Sequence, residues 1–188
     1  MDDLQPGDVL IASPYLHDPN FRRTVVILCD HSGEGSLGLV VNRPLPINLG
    51  SVLAPMADTP AGEAPLFQGG PVDPGRLLAV RRNAPPEEPQ EPVGPGLVLL
   101  TDLEDSLERV EEGQVSSDDV RFFLGYAGWG GGQLKSEVDQ GAWIVSEKSA
   151  SANLTFETPT RTMWSEILRS LGGQYAWLAD MPLDPDLN

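Results

Sequence analysis

The side chains with the clearest chemical potential fall in short clusters. His17-Asp18-Pro19-Asn20 sets an imidazole, a carboxylate and an amide side by side, and Asp30-His31 repeats the acid–imidazole pair after an apolar run. An enzyme built on them would use Asp18 or Asp30 as base and His17 or His31 as the acid–base partner. If residues 24–29 are extended they span about 20 Å, so the two clusters stand at opposite ends of a strand. That separation makes them poor partners for one dyad or one metal ion. The structural alternative has Asp18, Asn20 and Asp30 closing Asx-type turns on nearby backbone. Asn42-Arg43-Pro44 ends another apolar run with a guanidinium suited to clamping a carboxylate or phosphate, and Arg23 precedes a buried strand with the same capacity. With 28 acidic residues in the chain, pairing with one of them is the competing use for either arginine.

Gly125 to Gly132, reading GYAGWGGG, is the most suggestive segment. A glycine turn between a strand and a helix can aim backbone N–H groups at an anion. A dinucleotide fingerprint beginning at Gly128 would need glycine where Gln133 stands, and a phosphate loop beginning at Gly125 would need lysine where Gly131 stands. The remaining readings are a tight bend under Tyr126 and Trp129, or the wall of a ligand pocket touching Gly128, Trp129 and Gln133. Cys29 closes an apolar run with no neighbouring Lys or Arg in sequence, which fits core packing better than a nucleophile. No H-E-x-x-H, G-x-S-x-G or C-x-x-C occurs. Catalysis thus has no positive motif and its residues stay open, while no metal site or cofactor is expected.

The elements that must position these groups are legible in part. Apolar, β-branched runs predict strands over 8–12, 24–29, 37–42, 66–68, 77–80, 97–100, 120–126 and 143–145, with 24–42 as an antiparallel hairpin. Helical spacing predicts a helix after a Thr101–Glu104 capping box, with Leu103, Leu107 and Val110 on one face and a stop at Gly113. A short helix is expected over 133–140, and another beyond Pro159 with Met163, Trp164, Ile167, Leu168 and Leu171 inward. Residues 82–96 hold five prolines and no apolar period, which predicts an exposed, mobile loop; the tail MPLDPDLN reads as loose. Strands outnumber helices without regular alternation. The expected class is α+β: a single domain over 1–188, with a large mixed, antiparallel-rich β-sheet flanked by a few short helices.

Composition narrows the partners. The chain has 188 residues, 12 basic and 28 acidic, for a net charge of −16. Nucleic-acid affinity rests on Lys and Arg neutralising phosphates. Here there are only two lysines and no basic stripe, so direct nucleic-acid binding and anionic membranes are disfavoured. No run of 18 apolar residues is present to span a membrane. The single cysteine, and an N-terminal stretch without the basic head and apolar core of a signal peptide, point to the cytoplasm.

Three blocks carry a family resemblance. GDVLIASPYLHDPNFRRTVVILCDHSGEGSLGLVVNRP (7–44), FQGGPV (67–72) and LGYAGWGGGQLKSEVDQGAWIV (124–145) resemble the AlgH/YqgE family, in the same order along the chain. The likeness leaves out only 82–96 and the tail. It implies a single α+β domain with a large mixed sheet and, from the family's label of transcriptional regulator, a regulatory role. Opposition of the net charge to DNA contact makes that role indirect, through a small ligand or a protein partner. Asp18, Asn20, Arg23, Asn42, Arg43, Gly128, Trp129, Gln133 and Glu137 align with the family signature. The resemblance brings no catalytic set with it. Lys135, where an acidic residue is commoner, is a departure. A non-standard enzyme around Asp18, His31 and the glycine turn, or an acidic adaptor using helix 102–112, are the other readings.

Overall fold

The structure is a computed structural model and describes residues 4–147 and 149–182. Apolar continuity explains its centre. β1 (Val9–Ala12) is buried throughout, and β2 (Val25–Ser32) is buried over its first five residues. Successive strand side chains point to opposite faces. Val9, Ile11, Val25 and Ile27 therefore join Met163, Trp164 and Leu168 on one side, while Leu10, Ala12, Val26 and Leu28 join Trp129, Leu134 and Trp143 on the other. A strand covered on both faces reads as a continuous apolar run.

β3 (Gly35–Val40) returns antiparallel beside β2, forming the expected hairpin. β4 (Pro44–Asn48) and β5 (Pro65–Gln68) pair across three 3-10 turns. β6 (Val72–Arg82), β7 (Gln90–Gly94), β8 (Leu97–Leu100), β9 (Val120–Gly130) and β10 (Trp143–Ser146) complete a ten-stranded sheet. Its main path runs β10-β1-β2-β3-β9-β6-β8-β7. Among the described residues every pairing is antiparallel except that of β5 with β9, so the sheet is mixed and antiparallel-rich as expected.

The helices are short: α1 (Leu103–Glu111), α2 (Gln133–Asp139), α3 (Met163–Leu171) and α4 (Gly173–Ala176). α1 buries Val110, and with it Leu103 and Leu107, against Val120 and Phe122. Its cap is Asp102, whose carboxylate accepts from the Asp105 N–H at 3.1 Å, in place of the expected Thr101–Glu104 box. A charged acceptor one residue later meets the same free N–H groups and the positive helix end.

Two further expectations are corrected. The 82–96 segment is not an open loop throughout: residues 90–94 form β7, Val93 is buried, and the Glu88 carboxylate is buried against the Arg81 guanidinium. Among the described residues β7 pairs only with β8, at the end of the sheet path, and an edge strand tolerates the prolines that obscured it. The glycine-rich segment is likewise mostly strand, since β9 runs on through Gly130. Of the loose tail expected over 181–188, residues 183–188 lie outside the described residues. Among the described residues, no helix is long and apolar enough to cross a membrane.

Candidate functional site

Two side chains just beyond β3 hold the start of β2 and the turn before it. Asn42 accepts the Val25 N–H at 2.9 Å through Oδ1 and donates through Nδ2 to the Arg23 carbonyl at 2.9 Å. Arg43 donates to three carbonyl oxygens of the preceding turn: Asn20 at 2.6 Å, Pro19 at 3.1 Å and Arg22 at 3.0 Å. Burial lowers its pKa, and nearby Asp18 partly offsets the effect. Asp18 itself accepts the Asn20 N–H at 2.8 Å, the Asx turn anticipated as the structural reading. Arg23 has a positive φ of 53° and donates to the Met181 carbonyl. Its guanidinium lies 4.6 Å over the Trp164 ring. Asp18, Asn20, Arg23, Asn42 and Arg43 thus come together: the side chains of Asp18, Arg23, Asn42 and Arg43 hold backbone, and Asn20 takes part through its own backbone N–H and carbonyl.

The turn held by Arg43 carries Phe21 into a cluster of aromatic rings. Phe21 stacks on Trp129 with centroids 6.3 Å apart and meets Trp143 edge-on at 5.4 Å; the two indoles are 5.9 Å apart. Glu137 of α2 sits behind them. Its carboxylate accepts from Trp129 Nε1 at 2.9 Å, Trp143 Nε1 at 2.8 Å and Gln133 Nε2 at 2.9 Å. Gln133 in turn accepts the Gly130 N–H at 3.0 Å. Trp129, Gln133 and Glu137 therefore tie α2 to β9 and β10. Gly128 lies within β9, where an added Cβ would stand 3.1 Å from the Tyr126 ring.

The histidine clusters stay apart. Asp30 and His31 lie on β2, whereas His17 and Asp18 lie in the turn before it. His31 Nδ1 is 2.7 Å from Ser36 Oγ across the hairpin. Cys29 is buried, and desolvation raises its pKa to about 12, so it stays a protonated thiol. Among the described residues no three His, Cys, Asp or Glu side chains converge as a metal site requires.

A group that the residue types did not single out has the more unusual surroundings. Arg121, near the start of β9, lies 4.3 Å over the Phe67 ring and 5.3 Å over the Phe156 ring. Among the described residues its side chain makes one hydrogen bond, to the Val41 carbonyl at 3.4 Å, and no carboxylate pairs with it. Burial lowers its pKa to about 10, which leaves it charged at neutral pH. It lines a cavity of about 320 Å³ with Arg82, Asp118, Val120, Phe156 and Glu157. Phe156 and Glu157 are brought there by a π-helical turn, Asn153–Glu157, a rare geometry that often marks functional sites. Arg82 is already neutralised by Asp119 at 2.6 Å and by Glu157. The sequence signal for this site is a cation inside the apolar strand VRFFL, but the rings that flank it come from distant segments.

Comparison with known proteins follows the same lines. A family model described as AlgH-like matches residues 9–176. A UPF0301 protein of Streptomyces coelicolor is 42% identical over 188 residues, covering 97% of this chain and 94% of the relative. One of Chlorobaculum tepidum is 36% identical over 185 residues, covering 98% and 96%. The solution structure of the AlgH protein from Pseudomonas aeruginosa matches with a TM-score of 0.73 at 29% identity, covering 97% of this chain and 98% of that one. A crystal structure of a Corynebacterium diphtheriae protein shares the fold, with a TM-score of 0.72 at 21% identity over 95% and 93% of the two chains.

Proposed function

The chain belongs to the AlgH-like family, and we propose that it is a small-ligand-binding module that exerts a regulatory effect through that ligand or a protein partner, without contacting DNA. The observation that carries this reading is the Arg121 cavity: a charged guanidinium without an acidic partner among the described residues, lining a space of about 320 Å³. Cavities of about 300–1,000 Å³ are the usual size for small-molecule sites. The signature residues support it differently. Arg43, Asn42 and Glu137 spend their donors and acceptors on the scaffold, which leaves them placed to hold a shape and not to move protons. A net charge of −16 opposes a DNA complex. A single buried thiol suits the reducing cytoplasm, where we place the protein.

A thermal-shift panel of nucleotides, divalent metals, sugar phosphates and carboxylates tests the reading. A ligand at about 100 times its Kd adds about 2.7 kcal/mol, a rise in Tm of about 5–10 °C for a domain of this size. The expected result is a clear shift from one ligand class, lost in Arg121→Gln. No shift from any compound would overturn it in favour of an adaptor using the exposed acids of α1. The enzyme reading has one observation in its favour, the His31–Ser36 contact. These residues are direct cross-strand partners, so hairpin register alone accounts for the approach.

A further inference from the structure

Resting on the reading of the chain as a small-ligand module, we propose that the Arg121 cavity takes a singly charged organic carboxylate with a compact apolar body. Charge sets the ligand's valence. Of the two arginines lining the cavity, Arg82 already holds Asp119 and Glu157, whereas Arg121 has no carboxylate partner among the described residues. Asp118 and Glu157 line the same space and would repel a second negative charge. Phosphomonoesters and polyphosphates are therefore poor occupants, although an arginine alone would welcome them.

The shape of the donor group points the same way. A guanidinium that lies over aromatic rings uses its face for them and keeps its N–H edges for an acceptor. The Arg121 guanidinium carbon lies over the Phe67 and Phe156 rings, and among the described residues its N–H groups reach one acceptor, the Val41 carbonyl at a long 3.4 Å. Nη1 makes that bond, and neither Nε nor Nη2 is among the buried side-chain atoms left without a partner, so these two keep contact with solvent. A carboxylate presents two coplanar oxygens to such an edge. Its body would then lie against Phe156, Val120 and Pro65, which line the cavity. The volume, about 320 Å³, is at the small end for ligand sites and suits a body of one ring or a short chain.

Titration of the full chain, followed by amide chemical shifts, separates the alternatives with four probes: benzoate, hexanoate, neutral benzamide and doubly charged phenyl phosphate. Benzoate or hexanoate is expected to bind one to one and saturably, with benzamide and phenyl phosphate each weaker by about tenfold or more. Arg121→Gln should weaken the carboxylate by about tenfold or more. Asp118→Asn, an exposed change that leaves the packing alone, should tighten it by about twofold to fivefold. The second variant keeps the test valid if the first fails to fold. Phenyl phosphate binding more tightly than benzoate would overturn the ligand class, and benzoate binding unaltered by either variant would overturn the site. Silence from both carboxylates, while another compound of the thermal panel shifts Tm through Arg121, overturns this proposal and leaves the binding module standing. Silence in both experiments overturns the two together.

Discussion

At Glu137 a single carboxylate faces the N–H groups of two indoles and one amide, all within 2.9 Å. Trp129 and Trp143 are each less than a tenth exposed, so neither indole N–H has water as a ready substitute. Glu137→Ala would leave both donors without an acceptor, at about 1–3 kcal/mol for each buried group. Unfolding in urea should show a loss of about 2–4 kcal/mol with an unchanged slope. Glu137→Gln keeps one acceptor oxygen and should cost about half as much. A loss below about 0.5 kcal/mol in Glu137→Ala would mean that water reaches the indoles after all. Arg43 shows the same economy with opposite charge, since a residue that could bind an anion donates instead to three carbonyls of one turn. Residue type singled out Arg43, and the family resemblance Glu137, but neither could say what the side chain faces. The partners of Arg43 depend on where a turn some twenty residues earlier comes to rest. Arg121 is the converse case: its sequence neighbours are ordinary, and its character arises from Phe67 and Phe156, which only the folded chain brings near.

At the scale of the element, β9 is the strand on which the others converge, pairing with β3, β5 and β6. Side chains of a regular strand alternate faces. In β9 Phe123 and Tyr126 nevertheless pack on the same cluster, and Ala127 and Trp129 pack on another. Gly125, at φ 67°, makes the extra step, and β6 loses register opposite it between Val72 and Leu77. An added Cβ there would stand 2.6 Å from the Gly70 carbonyl oxygen. Gly113, which closes α1 at φ 72° with nothing within 4 Å, is the matched control. Gly113→Ala should cost about 1–2 kcal/mol, the left-handed backbone alone. Gly125→Ala should cost distinctly more, because strand backbone must also move. Equal losses in parallel urea titrations would show that β6 yields freely and that the bulge is not what sets the face of Trp129. The strands were readable because their runs are β-branched and continuous. The bulge was not, because a glycine that bends a strand and a glycine that ends one have the same local appearance. The 82–96 segment failed for a related reason: its prolines argue against a central strand but are compatible with the edge position that β7 occupies.

For the whole molecule, the dominant long-range quantity is the net charge of −16. Self-repulsion of that size disfavours the compact state. The exposed ion pairs Lys135–Asp139 and Arg169–Asp180 act in the opposite direction but are worth only about 0–1 kcal/mol each. Screening should therefore relieve more repulsion than attraction. Between about 0.01 M and about 1 M salt the Debye length falls from about 30 Å to about 3 Å. Sodium chloride raised across the lower part of that range at pH 7.5 should lift Tm by a few degrees, whereas a chain dominated by its surface pairs would show a fall. Near pH 5 the carboxylates start to approach their titration range, about pH 4, and the rise should shrink. Repeating the series with Arg121→Gln separates a global effect from chloride acting as a ligand. Repulsion summed over the whole surface gives parallel slopes in the two proteins. A slope that flattens in the variant would place the salt effect in the cavity, where Arg121 has no acidic partner among the described residues.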